Sequence, residues 1–467
     1  MKRIKILLLS ACCLGLGFGN LLGQDTPEGD WYGNLDVGPM QLRITFHIQK
    51  TEDGYTSSLD SPDQGAMDIP VDETTFDAPN LTLKLAKLKA IYKGELNEAG
   101  DQLTGTFTQN GQNMPLTMTT AKPDGPARPQ TPVPPFAYES TDVMFYNADA
   151  DINLAGTFTA PKGKGTYPAV ILITGSGPQD RDETLFEHKP FAVIADHLTQ
   201  KGIAVLRFDD RGVGDSEGNH REATSADFAT DVMAGIDWLA KQENVKADQI
   251  GMVGHSEGGL IAQIVASQSD KAAFMIQLAG PGLGGDEILT LQTGLIFTTM
   301  GMPEATVTKW NTIQKDIFGI IKSTENNAQV QILVEAKADE WEEMLDIQDK
   351  TLLQYEREKV IKDLPNMTST WMRYFLKTKP EDMLVKIQIP HLALFGEKDL
   401  QVPAKENLAA METTQASNGQ FQSHIFPSLN HLFQKANTGL VMEYGKIETT
   451  VEPEVLDYMS NWIKETL

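Results

Sequence analysis

The alternation of hydrophobic and polar residues divides the chain into two parts of different character. Residues 24–122 carry short runs in which β-forming residues alternate with polar ones, for example at 40–49 and 103–109. Clusters of Gly, Asp and Asn separate several of these runs, as is typical of turns between antiparallel strands. We therefore expect a small antiparallel barrel or sandwich over residues 24–122.

A proline-rich segment, residues 123–135, follows the β region and ends in Pro132-Val133-Pro134-Pro135. Proline fixes φ and lacks an amide donor, so it neither continues a sheet nor forms a helix interior. The composition predicts an extended linker between two domains.

From residue 136 the pattern changes to continuous apolar strands that alternate with helices. Strands of this kind occupy residues 169–174, 203–208 and 249–253. Such an alternation is typical of a parallel sheet covered on both faces. It pauses between 281 and 386, where apolar residues such as Ile313 and Ile317 recur at helical spacing, and resumes at His391. The predicted fold class is α/β, a doubly wound and mostly parallel sheet over residues 136–467 with a helical cap insertion at 281–386.

The charge balance limits the partners of this chain. Its 467 residues include 39 Lys and Arg against 64 Asp and Glu, for a net charge of −25. A protein this acidic repels the phosphate backbones of nucleic acids and anionic membrane surfaces. We therefore expect no nucleic-acid partner. The composition leaves a small-molecule substrate as the expected partner and does not define an oligomeric state.

The first 23 residues have the pattern of an export signal. Lys2, Arg3 and Lys5 precede an apolar run over residues 6–22, and a cut after residue 23 leaves Gln24 as the mature N-terminus. We expect a periplasmic or secreted protein with no stable membrane insertion after cleavage. An uncleaved membrane anchor is the alternative.

The only two cysteines, Cys12 and Cys13, both lie in this segment. The residues before Cys12 also resemble a lipoprotein signal, although only a short apolar run precedes it. If the signal is removed, the mature chain has no disulfide, thiolate metal site or cysteine nucleophile. We predict no metal site and no cofactor.

Two segments match the pattern Gly-x-Ser-x-Gly, which carries a nucleophile only on a sharp strand-to-helix turn. Ser256 follows the apolar strand at 249–253 and precedes a helix. Ser216 instead lies in a loop, eight residues past the strand that ends at Phe208. We predict Ser256 as the nucleophile and a structural role for Ser216.

A serine nucleophile needs a base and a carboxylate that orients the base. In sheets of this order the acid and then the histidine follow the serine along the chain. His431 lies in a loop just past a strand and is our predicted base, whereas His424 lies within the strand.

Asp399 follows a strand that ends in Gly396, and we predict it as the acid. Glu397 is the nearest rival. Asp286 or Glu287, after the preceding strand, is a weaker alternative.

Acyl transfer also needs donors for the oxyanion. The backbone amide of Glu257, at a helix N-terminus, is one candidate. The second should come from the turn Gly175-Ser176-Gly177-Pro178, where we favour the Ser176 amide and keep Gly175 as the alternative.

Together with Gly254-His255-Ser256-Glu257-Gly258, the run from Arg207 to Ser216 resembles the α/β-hydrolase superfamily. Residues 175–183 further resemble a bacterial carboxylesterase group that carries a small N-terminal β domain and overlaps with dienelactone hydrolases and serine aminopeptidases. The resemblance implies a catalytic triad at Ser256, Asp399 and His431. Thr174 departs from it, because many members have histidine before the glycine.

We therefore expect an exported serine hydrolase that cleaves carboxylic esters through an acyl-enzyme intermediate. A serine peptidase uses the same triad, but no acidic pair for a substrate amine is evident. A binding protein with a relic hydrolase domain is the third reading. Met300, Met302, Trp371 and Phe375 of the insertion either form a lid over an apolar acyl pocket or belong to the core of the helices.

Overall fold

The computed structural model of the chain describes residues 26–37, 40–64, 66–123 and 125–467. The predicted export signal at residues 1–23, with Cys12, lies outside the described residues. The chain divides into two compact units, Met1–Gly125 and Pro126–Leu467. Within the described ranges, none of the helices combines the length and the apolar character needed to cross a membrane.

The described part of the first unit is all β. Its strands are β1 (Gly29–Val37), β2 (Met40–Thr51), β3 (Gly54–Ser61), β4 (Ala66–Pro70), β5 (Glu73–Asp77), β6 (Asn80–Leu85), β7 (Ala90–Leu96), β8 (Gln102–Gln109) and β9 (Gln112–Thr119). Antiparallel neighbours run in the order β2-β1-β9-β8-β7-β6-β5-β3, and β3 pairs with β2 to close the ring. The unit is thus an eight-stranded barrel with β4 added outside β3.

The barrel closes around a filled interior. Alternate residues of β6, among them Leu81, Leu83 and Leu85, are buried while their neighbours face outward. Trp31 and Tyr92 are fully buried in the same cluster. The two-residue period of a strand therefore places one apolar face inside, as the sequence pattern predicts.

The second half of the proline-rich segment packs on the second unit. Arg128 donates to the carbonyls of Ile447, Gly445 and Phe186 at 2.8–2.9 Å. Gln130 accepts from the Val451 amide at 3.1 Å. These bonds join Arg128 and Gln130 to residue 186 and to residues 445–451 of the same unit, and the linker role of residues 123–135 stays a prediction.

The second unit alternates strands and helices. Its strands are β10 (Glu139–Asn147), β11 (Ile152–Ala160), β12 (Tyr167–Ile173), β13 (Ala204–Phe208), β14 (Val245–His255), β15 (Phe274–Leu278), β16 (His391–Gly396) and β17 (Phe421–Phe426). Its helices are α1 (Pro190–Gln200), α2 (Ser225–Leu239), α3 (Glu257–Gln268), α4 (Gly285–Thr299), α5 (Glu304–Ser323), α6 (Asn327–Met344), α7 (Ile347–Leu353), α8 (Arg357–Met367), α9 (Thr370–Lys377), α10 (Glu381–Leu384), α11 (Ala404–Thr414) and α12 (Pro453–Thr466).

The eight strands form one sheet in the order β10-β11-β13-β12-β14-β15-β16-β17. The first two pairings are antiparallel and all the others are parallel. The predicted fold class is confirmed: a doubly wound, mostly parallel sheet follows a small all-β unit.

Both faces of this sheet are apolar, which explains the continuous hydrophobic runs. In β12, Val170 and Leu172 join the cluster formed with α1 and α12. Ile171 and Ile173 join the opposite cluster, formed with α2 and α3. Successive residues therefore face different helical layers, and no position in the strand is left polar.

Helices α4–α10 lie between β15 and β16, within the predicted insertion at 281–386. The residues at helical spacing in α5, Ile313, Ile317 and Ile321, are buried together with residues of α6, α8 and α9. The insertion, which we call the cap, thus has a hydrophobic core of its own.

Candidate active site

The loops at the carboxyl ends of the parallel strands bring the predicted site residues together. Ser256 stands between β14 and α3 with φ 53° and ψ −119°. This region is rare for a residue with a Cβ and costs roughly 1–3 kcal/mol. The Ser256 amide donates to the Leu278 carbonyl at the end of β15, at 2.8 Å. The backbone is therefore held in a strained turn that presents the serine at the edge of the sheet.

The two glycines of the motif are needed because the turn is crowded by backbone. A Cβ added at Gly254 would lie 2.1 Å from the Gly258 carbonyl oxygen. A Cβ at Gly258 would lie 2.1 Å from the carbonyl oxygen of Ile173, at the end of β12. The close approach of α3 to β12 thus requires a residue without a side chain at 258.

His431 and Asp399 form a buried pair. Asp399 follows β16, and its Oδ2 lies 2.8 Å from Nδ1 of His431, which follows β17. The other carboxylate oxygen accepts the amides of Gln401 and Val402 at 2.8 and 2.9 Å. These bonds fix the carboxylate, and the bond to Nδ1 leaves Nε2 as the ring nitrogen that can accept a proton.

The turn after β12 lies against the serine. A Cβ added at Gly175 would be 3.3 Å from Cβ of Ser256. The Gly175 amide already donates to Oε1 of Glu183 at 2.8 Å. Of the two candidate amides in this turn, the Gly175 amide is therefore occupied, which favours the Ser176 amide as an oxyanion donor.

Glu257 contributes more than a backbone amide at the N-terminus of α3. Its buried Oε1 accepts from the Ser225 hydroxyl at 2.6 Å and from the indole Nε1 of Trp371 at 2.7 Å. Burial raises the pKa of this carboxyl, and the two hydrogen bonds oppose that effect. Trp371 belongs to α9, so this bond ties the cap to the residue next to Ser256. No pattern in the sequence predicts this hydrogen bond between Trp371 and Glu257.

Asp210 is a second buried acid, below the turn after β12. It accepts from the Thr174 hydroxyl at 2.6 Å and from the Gln179 amide at 2.9 Å. The pKa of Asp210 is raised to about 8, chiefly by burial and also by the nearby Glu257 and Glu183 carboxylates, while its two hydrogen bonds oppose the rise. Thr174, which departs from the family pattern, thus anchors the turn after β12 to the loop after β13 through its side-chain hydroxyl.

The rival residues have other partners. The Ser216 hydroxyl donates to the Asp209 carbonyl at 2.7 Å and accepts the Ala155 amide at 2.9 Å, which holds the loop after β13 against β11. The ring of His424 stacks on Tyr458 with centroids 4.9 Å apart.

The rival acids are also engaged elsewhere. Glu397 is exposed and accepts the Ser428 amide at 2.9 Å. Asp286, on α4, pairs with Lys322 of α5 at 2.6 Å, and Glu287 lies beside it at the start of α4.

Of the four apolar cap residues singled out in the sequence, two pack near the site. Trp371 and Phe375 stack with ring centroids 5.1 Å apart and join the core beneath α3. Met300 is 62 % exposed at the end of α4, and Met302 lies two residues before α5 begins. A lid role thus fits Trp371 better than it fits Met300.

A cavity of about 1120 Å³ opens beside the cap, lined by residues of α3, α9 and α10 such as Gln268, Arg373 and Met383. Neither Ser256 nor His431 lines it. Among the described residues, no group of three His, Cys, Asp or Glu side chains is arranged to hold a metal ion.

Known hydrolases are similar to this chain in sequence. The family described as X-Pro dipeptidyl-peptidase (S15 family) matches residues 149–432. The esterase EstD of Thermotoga maritima is 26 % identical over 335 residues, which cover 70 % of each chain. The mitochondrial palmitoyl-protein thioesterase of Homo sapiens is 30 % identical over 146 residues, 31 % of this chain and 42 % of that one. A solved esterase from Pyrococcus furiosus covers 70 % of this chain and 93 % of its own, with 18 % identity and a TM-score of 0.41.

The crowding at Gly258 can be tested by adding one methyl group. We expect Gly258→Ala to lower the melting temperature and to reduce hydrolase activity strongly, because the new Cβ overlaps the Ile173 carbonyl. Overpacking of this kind typically costs about 1–3 kcal/mol. Gly319→Ala is the matched control: Gly319 lies within α5 with no atom within 4 Å of the added Cβ. It should keep full activity and gain about 0.5–1 kcal/mol. Normal activity and stability in Gly258→Ala would contradict the described turn.

Proposed function

The chain belongs to the X-Pro dipeptidyl-peptidase (S15) family of the α/β-hydrolase superfamily and is a serine-type hydrolase, and from that premise we propose that it cleaves carboxylic esters with Ser256, His431 and Asp399 through an acyl-enzyme intermediate. The observation that carries the proposal is the convergence of the strained Ser256 turn and the buried His431–Asp399 pair at one edge of the sheet.

In the proposed reaction, His431 accepts the Ser256 proton as the hydroxyl oxygen attacks the ester carbonyl carbon. The backbone amides of Ser176 and Glu257 stabilise the oxyanion that forms. The intermediate collapses, the C–O bond to the alcohol breaks, and His431 returns the proton to the leaving alkoxide. A water molecule, deprotonated by His431, then hydrolyses the acyl-serine. Asp399 holds the ring and stabilises the imidazolium that forms in each step.

The choice of ester over peptide rests on the relatives and on the partners of the nearby acids. A peptidase that recognises a free amine needs carboxylates that are open to the substrate. Glu183 bonds to His255 and to the Gly175 amide, and Glu257 bonds to Ser225 and Trp371. Both carboxylates are thus engaged by donors of the protein itself. The relatives include a protein named as an esterase, which supports the same choice.

The family name favours a second candidate, a peptidase that cleaves after proline. The triad would serve either bond, because the two reactions differ mainly in the leaving group and its recognition.

The bond class can be measured with matched chromogenic substrates. We expect a far higher kcat/KM for p-nitrophenyl acetate than for alanyl or glycyl-prolyl p-nitroanilide, because the buried carboxylates of Glu183 and Glu257 are already engaged by donors of the protein. A higher kcat/KM for the glycyl-prolyl anilide would instead assign the peptidase activity. Activity on neither class, with a reactive serine still present, would direct the search to larger esters.

The nucleophile is tested by comparing the two motif serines. Ser256→Ala should lower kcat on the order of 10⁶-fold, as loss of a triad serine does in comparable enzymes. Ser216→Ala should keep kcat and lose only stability, about 1–3 kcal/mol for the amide left without its acceptor. A fluorophosphonate adduct, mapped by mass spectrometry, should lie on Ser256. An adduct on Ser216 would refute the assignment.

The acid is tested by amide substitution at two neighbouring carboxylates. Asp399→Asn should reduce kcat by about 10⁴-fold, because an amide cannot hold the required ring tautomer. Glu397→Gln is the matched control, two residues away and exposed, and should change kcat less than about tenfold. Asp286→Asn should behave like the control. Near-normal activity in Asp399→Asn would show that another residue orients His431.

A further inference from the structure

A second histidine lies beside the proposed triad, and both of its ring nitrogens face oxygen acceptors. Nδ1 of His255 is 2.9 Å from Oε1 of Glu183, and Nε2 is 3.0 Å from the backbone carbonyl oxygen of His431. A neutral imidazole has one N–H and can donate to only one of these oxygens. Donation to both oxygens at once therefore needs one proton more than a neutral ring and an ionised carboxylate together carry, and a carboxylate partner can stabilise that extra charge.

The surroundings place that proton on the ring. The same Oε1 of Glu183 accepts the Gly175 amide at 2.8 Å, and a second donor favours the ionised carboxylate. Burial alone lowers the pKa of His255, but the charge and hydrogen bond of Glu183, the bond to the His431 carbonyl and the charge of Asp399 together leave the pKa raised. The other titratable groups near the ring are His431, with its centroid 4.7 Å away, and Asp399.

The pair connects the parts of the site that must be aligned. Glu183 holds the turn that carries the Ser176 amide, through the Gly175 amide. His255 precedes Ser256 in the chain and donates to the backbone of His431. The ion pair therefore spans the oxyanion turn, the nucleophile loop and the loop of the base.

We propose that Glu183 and His255 are positioning residues, a buried carboxylate–imidazolium pair that fixes the His431 backbone and the oxyanion turn relative to Ser256. The proposal rests on the function proposed above, since it assigns these residues to the alignment of that triad. Neither side chain performs a chemical step. A displacement of about 1 Å in such an array can cost on the order of 100-fold in rate.

The test compares Glu183→Gln and His255→Gln with wild type. Rates on p-nitrophenyl acetate are divided by the concentration of active sites from fluorophosphonate titration, so that unfolded protein does not count. We expect kcat per site to fall about 10- to 100-fold with a smaller change in KM, because the chemical step loses alignment while neither residue is assigned to substrate binding.

His391→Gln is the matched control. His391 is also fully buried, but it begins β16, at the opposite end of the strand from the loop that carries Asp399. Its ring nitrogens lie 2.7 and 3.3 Å from the amide oxygens of Gln277 and Gln415, so its partners are neutral amides and not a carboxylate. Burial lowers its pKa to about 4. The control should lose stability with kcat per site unchanged. If the single variants at the pair unfold, the double variant Glu183→Gln/His255→Gln, which leaves no lone buried charge, should fold and still show the reduced kcat.

A second measurement is independent of activity. In protein labelled with ¹⁵N-histidine, the His255 ring, identified by its loss in His255→Gln, should show the imidazolium pattern at pH 7.5, and His391 the neutral one. In Glu183→Gln the His255 ring should become neutral.

A neutral His255 ring in wild type, or a kcat per site within twofold of wild type in Glu183→Gln, would overturn the proposal. If instead Ser256→Ala keeps its activity, the proposed function fails, while the ring signal still reports the charge state of the pair.

Discussion

The site depends on one strained position in the backbone. Ser256 has a positive φ that a residue with a Cβ adopts only when its surroundings impose it. Two contacts impose it here: the bond from the Ser256 amide to the Leu278 carbonyl, and the packing of Gly258 against the Ile173 carbonyl. Three adjacent strands, β12, β14 and β15, therefore set the place of one hydroxyl group. The hydrophobic layers on both faces of the sheet supply the stability that this turn requires.

Around this position the protein buries three acids in addition to Asp399, namely Glu183, Glu257 and Asp210, and the proposed reaction creates negative charge beside them. Ionised and uncompensated, they would oppose the oxyanion. The negative charge of each acid is balanced or removed in a different way. Glu183 faces a histidine, Glu257 accepts two hydrogen bonds, and Asp210 has a pKa of about 8. A carboxyl with that pKa is mostly protonated at neutral pH. Asp210 in that state adds less negative charge near Ser256 than an ionised carboxylate would.

The features that the sequence predicts correctly are those encoded by neighbouring residues. The apolar strand before Ser256, the glycines that flank it and the continuous runs of the parallel sheet are local, and the fold class follows from them. The pattern of the first unit does not predict β1, β3, β4 or β5. Strand β3, for example, is mostly Ser, Asp and Thr and is recognisable only through its pairing with β2.

The side-chain partners around the site were also beyond prediction. Glu183 and His255 are 72 residues apart, and Trp371 is 114 residues from Glu257. No periodicity or motif spacing relates such pairs, since the closure of the sheet and the packing of the cap create them. The sequence could thus name a nucleophile, a base and an acid by their places after strands, while the residues that hold these groups in register needed the three-dimensional fold.

The cap is the element in which substrate choice can differ among hydrolases that share this sheet. Its helices have their own core, so its outer parts can change without disturbing the strands that hold Ser256. It nevertheless reaches the site through the bond from Trp371 to Glu257, next to the nucleophile. A triad of this kind cleaves esters and amides alike, and selectivity between them comes from the groups that receive the leaving group and the acyl chain. Under the proposed function, a preference of this chain for esters or for prolyl peptides would therefore be set where α9 approaches α3 and not by Ser256, His431 and Asp399, which would serve either bond.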